Sequence, residues 1–382
     1  KGGAPVFMEM ILAGMVSLSH AEREADFGGP HRTLRDCGSE APRVGACRMP
    51  MAMTPADVET HLAGKDTAWW RDGDAFIVVA KRDTDQAYLC CSIRAPMDQV
   101  SGDLWALRVR VADLDKATID VFVQPSGATY GAYRGPLAPP RPEFATALKG
   151  QLLQMVLKSD YLDAPRNLTI YLPPGHDPKK SYPVVYTSDG ADRQDDAKMI
   201  EPAILKGEIP PVIVVMIWQG GAPGIDLRSE EYLLGWRGGG LAFRKHESFL
   251  LNEVLPAMEK QYGASSDPRQ RLITGFSSGA SWAATMGLRH PDVFPNVAAQ
   301  SMVWSQEPQQ ADVANGARFY LSAGTLEPTF LDVTTRFAER AKASGHDVTM
   351  VTTVSGHTQT IWRPLLLDAI KWAFGNGSAK KP

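Results

Sequence analysis

At 382 residues, 44% hydrophobic and 22% charged, the chain is long enough for two domains with sizeable cores and too apolar for a disordered one. Its formal net charge of -3 offers no basic field for nucleic acid. No uninterrupted apolar run is long enough to span a bilayer.

Lys1 precedes two apolar stretches, Pro5 to Met8 and Ile11 to Leu18, interrupted by Glu9. Ser19-His20-Ala21 then offers small residues where a signal peptidase reads, and Glu22-Arg23-Glu24 turns polar. Two readings stand: a signal peptide over 1–21 on a periplasmic or secreted protein, or an ordinary N-terminal helix of a cytoplasmic one. The four cysteines fit export loosely. Cys37 and Cys47 bracket a loop that a disulfide can close, whereas Cys90 and Cys91 are adjacent in an expected strand. Side chains there point to opposite faces, so that pair reads at least as readily as buried free thiols.

Residues 22–146 carry β-rich signals and are expected to form an Ig-like β-sandwich. Strands are predicted over Asp74 to Ala80, Ala87 to Ile93, Leu104 to Val111 and Thr118 to Val123. Gly135 to Pro142 is Pro-rich and reads as a linker. From 147 to 382, strands alternate with helices, the signature of a mostly parallel α/β sheet covered by helices. Predicted strands are Leu168 to Leu172, Tyr182 to Thr187, Val212 to Trp218, Ala317 to Ser322 and Val348 to Val354. Phe249, Leu250, Val254, Leu255, Met258 and Tyr262 recur at helical spacing, and Gly263 can end that helix.

The segment from Arg271 to Ala284 is the most informative. Leu272 and Ile273 suit a buried strand, and Gly279 to Leu288 suits a helix. Between them lies Gly275-Phe276-Ser277-Ser278-Gly279, the pattern of a nucleophile elbow. A serine on so sharp a strand-to-helix turn needs glycines on both sides, because Cβ atoms would collide with the adjoining backbone. Ser277 is the candidate nucleophile. The backbone N–H of Ser278 is one candidate oxyanion donor, and the loop after Tyr186-Thr187, at Gly190 or Ala191, is expected to supply the other.

A serine hydroxyl needs an imidazole to take its proton at neutral pH. His357 follows the last predicted strand, in the turn Ser355-Gly356-His357, and is the best candidate. His290 ends the helix after Ser277 and reads as a partner of that helix's C-terminal carbonyls. The acid is expected where the preceding strand ends, at Glu327, with Asp332 as rival and Asp347 as a weaker one. Such chemistry needs no metal or organic cofactor, and no spacing resembles a metal-ligand set.

The chain resembles the enterochelin (ferric enterobactin) esterase branch of the α/β-hydrolases, a group similar to feruloyl esterases, S-formylglutathione hydrolase and mycolyltransferases. The likeness is carried by Arg166 to Gly175, Tyr182 to Gly190, Arg228 to Tyr232, the elbow, Gln300-Ser301, Gly324 to Glu327, and Gly356-His357 with Trp362-Arg363. These run in family order from about Leu157 onward. The resemblance implies an α/β-hydrolase fold, Ser277 as nucleophile, His357 as base, Glu327 as acid, and a site shaped by Arg228 to Glu231. The N-terminal domain is similar, through Asp103-Leu104-Trp105, to the sandwich that precedes the hydrolase domain in enterochelin esterases.

Around the site, Gly238-Gly239-Gly240 reads as a helix-start loop in preference to a mobile flap. Trp218, Trp236 and Trp304 stand near expected strand ends, either as an aromatic wall or as core. Arg228, Arg237 and Arg244 are candidates to hold an anionic substrate, against the default of solvated arginines. The expectation is a serine carboxylesterase acting on a small-molecule ester, with siderophore esters of the enterobactin type among the candidates and Arg228 and Trp304 as substrate contacts. A feruloyl or acetyl esterase of carbohydrate esters, an acyltransferase and a silent binding protein stay open. The oligomeric state is not legible.

Overall fold

The structure, a computed structural model, describes residues 34–222, 225–236, 239–303 and 316–375. The expected signal peptide lies outside them.

The first half of the chain forms two antiparallel sheets. One holds β1 (Ala46–Arg48), β2 (Thr67–Asp72), β3 (Ala75–Lys81), β6 (Asp98–Ser101) and β7 (Leu104–Val111). The other holds β4 (Tyr88–Cys91), β5 (Ala95–Pro96), β8 (Thr118–Gln124) and β9 (Gly131–Arg134). Phe76, Val78, Trp105 and Leu107 from the first sheet meet Leu89, Ile119, Val121 and Val123 from the second in one core, the expected sandwich. β3 is apolar on both faces because Val79 looks the other way, onto Val58 and Leu62 of helix α1 (Pro55–Leu62). Thr54 starts that helix: its hydroxyl accepts the Asp57 N–H, and the Asp57 carboxylate accepts the Thr54 N–H in return.

Cys37 and Cys47 form the expected disulfide. Cys90 and Cys91 depart from expectation, being bonded to each other. The peptide between them is cis.

The second half builds an eight-stranded sheet from β10 (Gln151–Leu157), β11 (Arg166–Leu172), β12 (Val184–Thr187), β13 (Ile213–Ile217), β16 (Arg271–Phe276), β17 (Asn296–Gln300), β18 (Arg318–Gly324) and β19 (Val348–Thr353). A short hairpin, β14 (Gly221–Ala222) with β15 (Ile225–Asp226), stands outside it. The order is β10-β11-β13-β12-β16-β17-β18-β19, antiparallel at β10 and β11 and parallel from β13 onward. In β13, Ile213, Val215 and Ile217 enter the core on one face, and Val214 and Met216 enter the core on the other. A strand covered on both sides must be apolar throughout.

Helices α2 (Gln194–Leu205) and α8 (Gln359–Phe374) cover one face. The other carries α4 (Leu241–Phe249), α5 (Leu255–Tyr262), α6 (Ser278–Arg289) and α7 (Pro328–Ala343), with the short α3 (Arg228–Tyr232) beside them. The periodic run from Phe249 to Tyr262 continues from α4 to α5 through a π-helical stretch, Leu250–Val254. Gly263 ends it at φ 69°, as expected for a left-handed cap.

The two halves are packed together rather than tethered. Leu326, in the loop after β18, lies in the sandwich core. The Thr118 N–H of β8 donates to the Val354 carbonyl at 2.9 Å, just past β19.

Candidate active site

β16 is buried along its whole length and delivers the chain to Ser277, whose φ and ψ are 56° and -128°. That region is costly for a residue with a side chain and survives only where the surroundings enforce it. The Ser277 N–H donates to the Gln300 carbonyl of β17 at 2.9 Å, and α6 begins at Ser278. Both flanking glycines are required by contact. A Cβ on Gly275 would stand 2.3 Å from the Gly279 carbonyl oxygen, and one on Gly279 would stand 2.0 Å from Ser188 Oγ. Gly275→Ala must therefore move backbone; we expect it to cost about 1–3 kcal/mol in urea unfolding. A variant as stable as the wild type would show that the turn has room to spare.

Glu327 lies between β18 and α7, and His357 lies between β19 and α8. His357 Nδ1 is 2.7 Å from Glu327 Oε2. An ionised carboxylate only accepts, so Nδ1 carries the proton and Nε2 is left as the basic nitrogen. The other carboxylate oxygen accepts the Ser301 hydroxyl at 2.6 Å and the Gly324 N–H at 2.7 Å. Ser301 in turn accepts the Trp362 indole N–H at 2.8 Å. Glu327 is thus a buried, hydrogen-bonded anion whose third partner is the imidazole.

The ring of His357 stacks on Phe330, with centroids 3.9 Å apart, and meets the edge of Trp362 at 4.6 Å. Trp362 also stacks on Phe276, the residue before Ser277, at 4.3 Å. One indole therefore touches both the imidazole and the strand end that carries the elbow. The His357 pKa lies below the ordinary imidazole value: burial, the largest influence, lowers it, the hydrogen bond and charge of Glu327 raise it, and Arg94 and Arg228 lower it. For an imidazole that serves as a base, which must be neutral to act, a lowered pKa extends its working range to more acid pH. The acid limb of kcat/KM should fall below about pH 6.5. An inflection above that value would contradict this environment.

The rival residues are engaged elsewhere. Asp332 is 57% exposed and pairs with Arg336 on its own helix. Asp347 precedes β19, at the far end of that strand from His357. His290 does not turn its ring to the helix carbonyls as expected; its Nε2 is 2.8 Å from the Glu247 carboxylate, which also holds Arg289.

Ser278 opens the twelve-residue helix α6, so its N–H belongs to the positive end of a helix dipole. Gly190 opens a 3-10 turn just past β12, where a Cβ would strike the Met216 carbonyl at 2.5 Å. Asp189, before it, pairs with Arg228 (Nε to Oδ1 2.5 Å, Nη2 to Oδ2 3.0 Å). Arg228 Nη2 also reaches the Phe276 carbonyl at 3.4 Å. The residue expected to meet substrate therefore holds the loop after β12 through Asp189 and the elbow strand through the Phe276 carbonyl. Trp304 and Arg237 lie outside the described residues. Of the other tryptophans, Trp218 donates to Thr169 Oγ1 and Trp236 packs with Leu233, Val303 and Phe330. Gly240 immediately precedes α4, in line with the helix-start reading.

Ser301, Phe330 and Trp362 had no site role in the residue-by-residue reading. Ser301 and Trp362 entered only through the resemblance. Phe330 keeps helical spacing with Phe337, which reads as core.

Between the two halves opens a cavity of about 710 Å³, reached by Arg35, Cys91 and Arg94 from one side and by Leu326, Glu327 and Phe330 from the other. No helix among the described residues is long and apolar enough to cross a membrane.

A mostly parallel sheet with a serine elbow behind one strand, and a histidine and an acid behind two others, defines an α/β-hydrolase. Residues 159–373 match the model of the family described as "Putative esterase". The chain belongs to that family and is an esterase, a hydrolase of carboxylic esters. It is 24% identical over 186 residues to the uncharacterized protein YbbA of Bacillus subtilis, which covers 44% of this chain and 72% of YbbA. Among solved structures it is similar in fold to the enterobactin esterase of Shigella flexneri (TM-score 0.62, 16% identity, 81% of this chain and 96% of the other). The ferric enterobactin esterase of Salmonella typhimurium gives a TM-score of 0.63 at 16% identity over 82% and 98%. A ferulic acid esterase matches at a TM-score of 0.50, with 22% identity over 60% of this chain and 98% of that one.

Proposed function

We propose that the protein is a serine carboxylesterase in which Ser277 attacks, His357 moves protons and Glu327 holds the histidine. In this reading Nε2 of His357 takes the Ser277 proton as Oγ adds to the ester carbonyl. The negative oxygen rests on the N–H groups of Ser278 and Gly190. The C–O bond breaks, the alcohol leaves with the proton from His357, and the acyl group stays on Ser277. Water then gives a proton to His357 and adds to the acyl carbon, releasing the acid and restoring the serine. The observation that carries the reading is the 2.7 Å bond between His357 and Glu327 on loops following neighbouring strands, beside the Trp362 that packs on the elbow strand. The direct test is covalent: a fluorophosphonate should label the wild type on the peptide containing Ser277. Labelling at another serine, or none, overturns the assignment.

For the substrate, an enterobactin-type trilactone is favoured over a feruloyl sugar. The likeness to enterobactin esterases extends over 81% of this chain, both halves included, while the ferulic acid esterase covers 60%. Hydrolysis of enterobactin with little turnover of feruloyl sugars is the expected outcome, and the opposite preference would reassign the substrate. Export to the periplasm or beyond is supported by the two disulfides, which persist in oxidising compartments.

A further inference from the structure

Asp120 lies on β8 of the N-terminal sandwich, 5% exposed. It is 238 residues from the loop that carries His357, yet its carboxylate reaches that loop. Oδ2 accepts the hydroxyls of Thr358, of Thr360 at 2.9 Å and of Tyr130 at 3.1 Å. Thr358 follows His357 directly and caps α8, its hydroxyl accepting the Thr360 N–H. The same loop is pinned on its other side. Thr118 and Ser355 form a parallel bridge, and Gly356 lies so close to Ser92 that a Cβ would stand 2.0 Å from the Ser92 carbonyl oxygen. Ser92 Oγ accepts the Asp120 N–H at 2.9 Å, which closes the frame. The second oxygen of Asp120 is buried, with no hydrogen-bond partner among the described residues.

We infer that Asp120 is a positioning residue for catalysis, through which the N-terminal sandwich holds His357 in register with Glu327. The inference rests on the proposed role of His357 as the base. The hydrolase half supplies all the reacting groups, but the loop bearing the imidazole is fixed from outside it. An acceptor-only carboxylate suits the task, because it gathers two threonine hydroxyls on one oxygen and offers no proton of its own. A displacement of the ring by about 1 Å is enough to cost on the order of a hundredfold in rate.

The test uses the full chain with Asp120→Ala, Thr360→Val and Thr360→Ser, assayed for kcat, KM, melting temperature and the pH profile of kcat/KM. Asp120→Ala and Thr360→Val should lower kcat about 10- to 100-fold with KM within about twofold, while Thr360→Ser, which keeps the hydroxyl, should stay near wild type. The charged groups acting on the imidazole are Glu327, Arg94 and Arg228, and none of them is altered. If the ring loosens towards solvent, the acid limb should therefore move up in pH. A purely structural clamp would lower the melting temperature and leave kcat and the limb of the folded enzyme unchanged, and that result overturns the inference. If Asp120→Ala does not fold, the two Thr360 variants decide: equal kcat for valine and serine is fatal. A wild type that takes no fluorophosphonate at Ser277 defeats instead the reading on which the inference stands.

Discussion

Ser277→Ala should reduce kcat by roughly a millionfold while leaving KM and the melting temperature close to wild type. The variant keeps the Cβ and hence the φ of 56°, so the elbow has no reason to relax. Ser278 cannot take over. It begins a helix, is 6% exposed, and its own N–H is the proposed oxyanion donor. The activity left should be the share of an intact oxyanion hole and substrate site, about 10³–10⁴ over water. Steady-state hydrolysis of a short p-nitrophenyl ester is sufficient to see it. A loss below about a hundredfold would mean that another group attacks, and the mechanism would have to be rebuilt around a different residue.

Replacing Glu327 by glutamine should cost about 10⁴ in kcat, and the reason lies in the hydrogen bonds rather than in charge alone. Oε1 accepts from both Ser301 and Gly324, so the glutamine carbonyl oxygen is drawn to that position. Its NH₂ is then left facing His357 Nδ1, which must become an acceptor. The ring proton moves to Nε2, and the nitrogen that should receive the serine proton is already occupied. Asp332→Asn, by contrast, removes only an exposed ion pair with Arg336, worth at most about 1 kcal/mol, and kcat should change by less than about twofold. Comparable losses in the two variants, or the reverse order, would return the acid to Asp332. If instead Glu327→Gln keeps its turnover, His357 does not depend on this carboxylate.

Much of the fold was legible because its signals are local. The apolar run of β13, the periodicity from Phe249 to Tyr262 and the Gly263 stop are each contained within a few turns of chain. The elbow was legible for a stronger reason: Gly275 and Gly279 are each short of space against backbone or side chain a few ångströms away, and that constraint is written in residue type. His357 and Glu327 followed from chain order, since loops after parallel strands emerge at one edge of the sheet.

The misses share one cause. That Cys90 bonds to Cys91 is announced by no spacing, since adjacent residues of an extended strand face opposite ways. That His290 turns to Glu247 depends on a partner 43 residues away. Ser301, Phe330 and Trp362 look like packing until the sheet brings them around the imidazole.

The sequence by itself determined the serine on its turn, the strand-end loops that carry His357 and Glu327, and the alternation of strands and helices, because short-range sterics and periodicity are encoded residue by residue. Only the tertiary structure decided which hydroxyl supports Glu327, which rings confine His357, and that the sandwich grips the histidine loop through Asp120. Those are contacts between segments up to 240 residues apart, and their energies depend on distances that exist only once the chain has closed on itself.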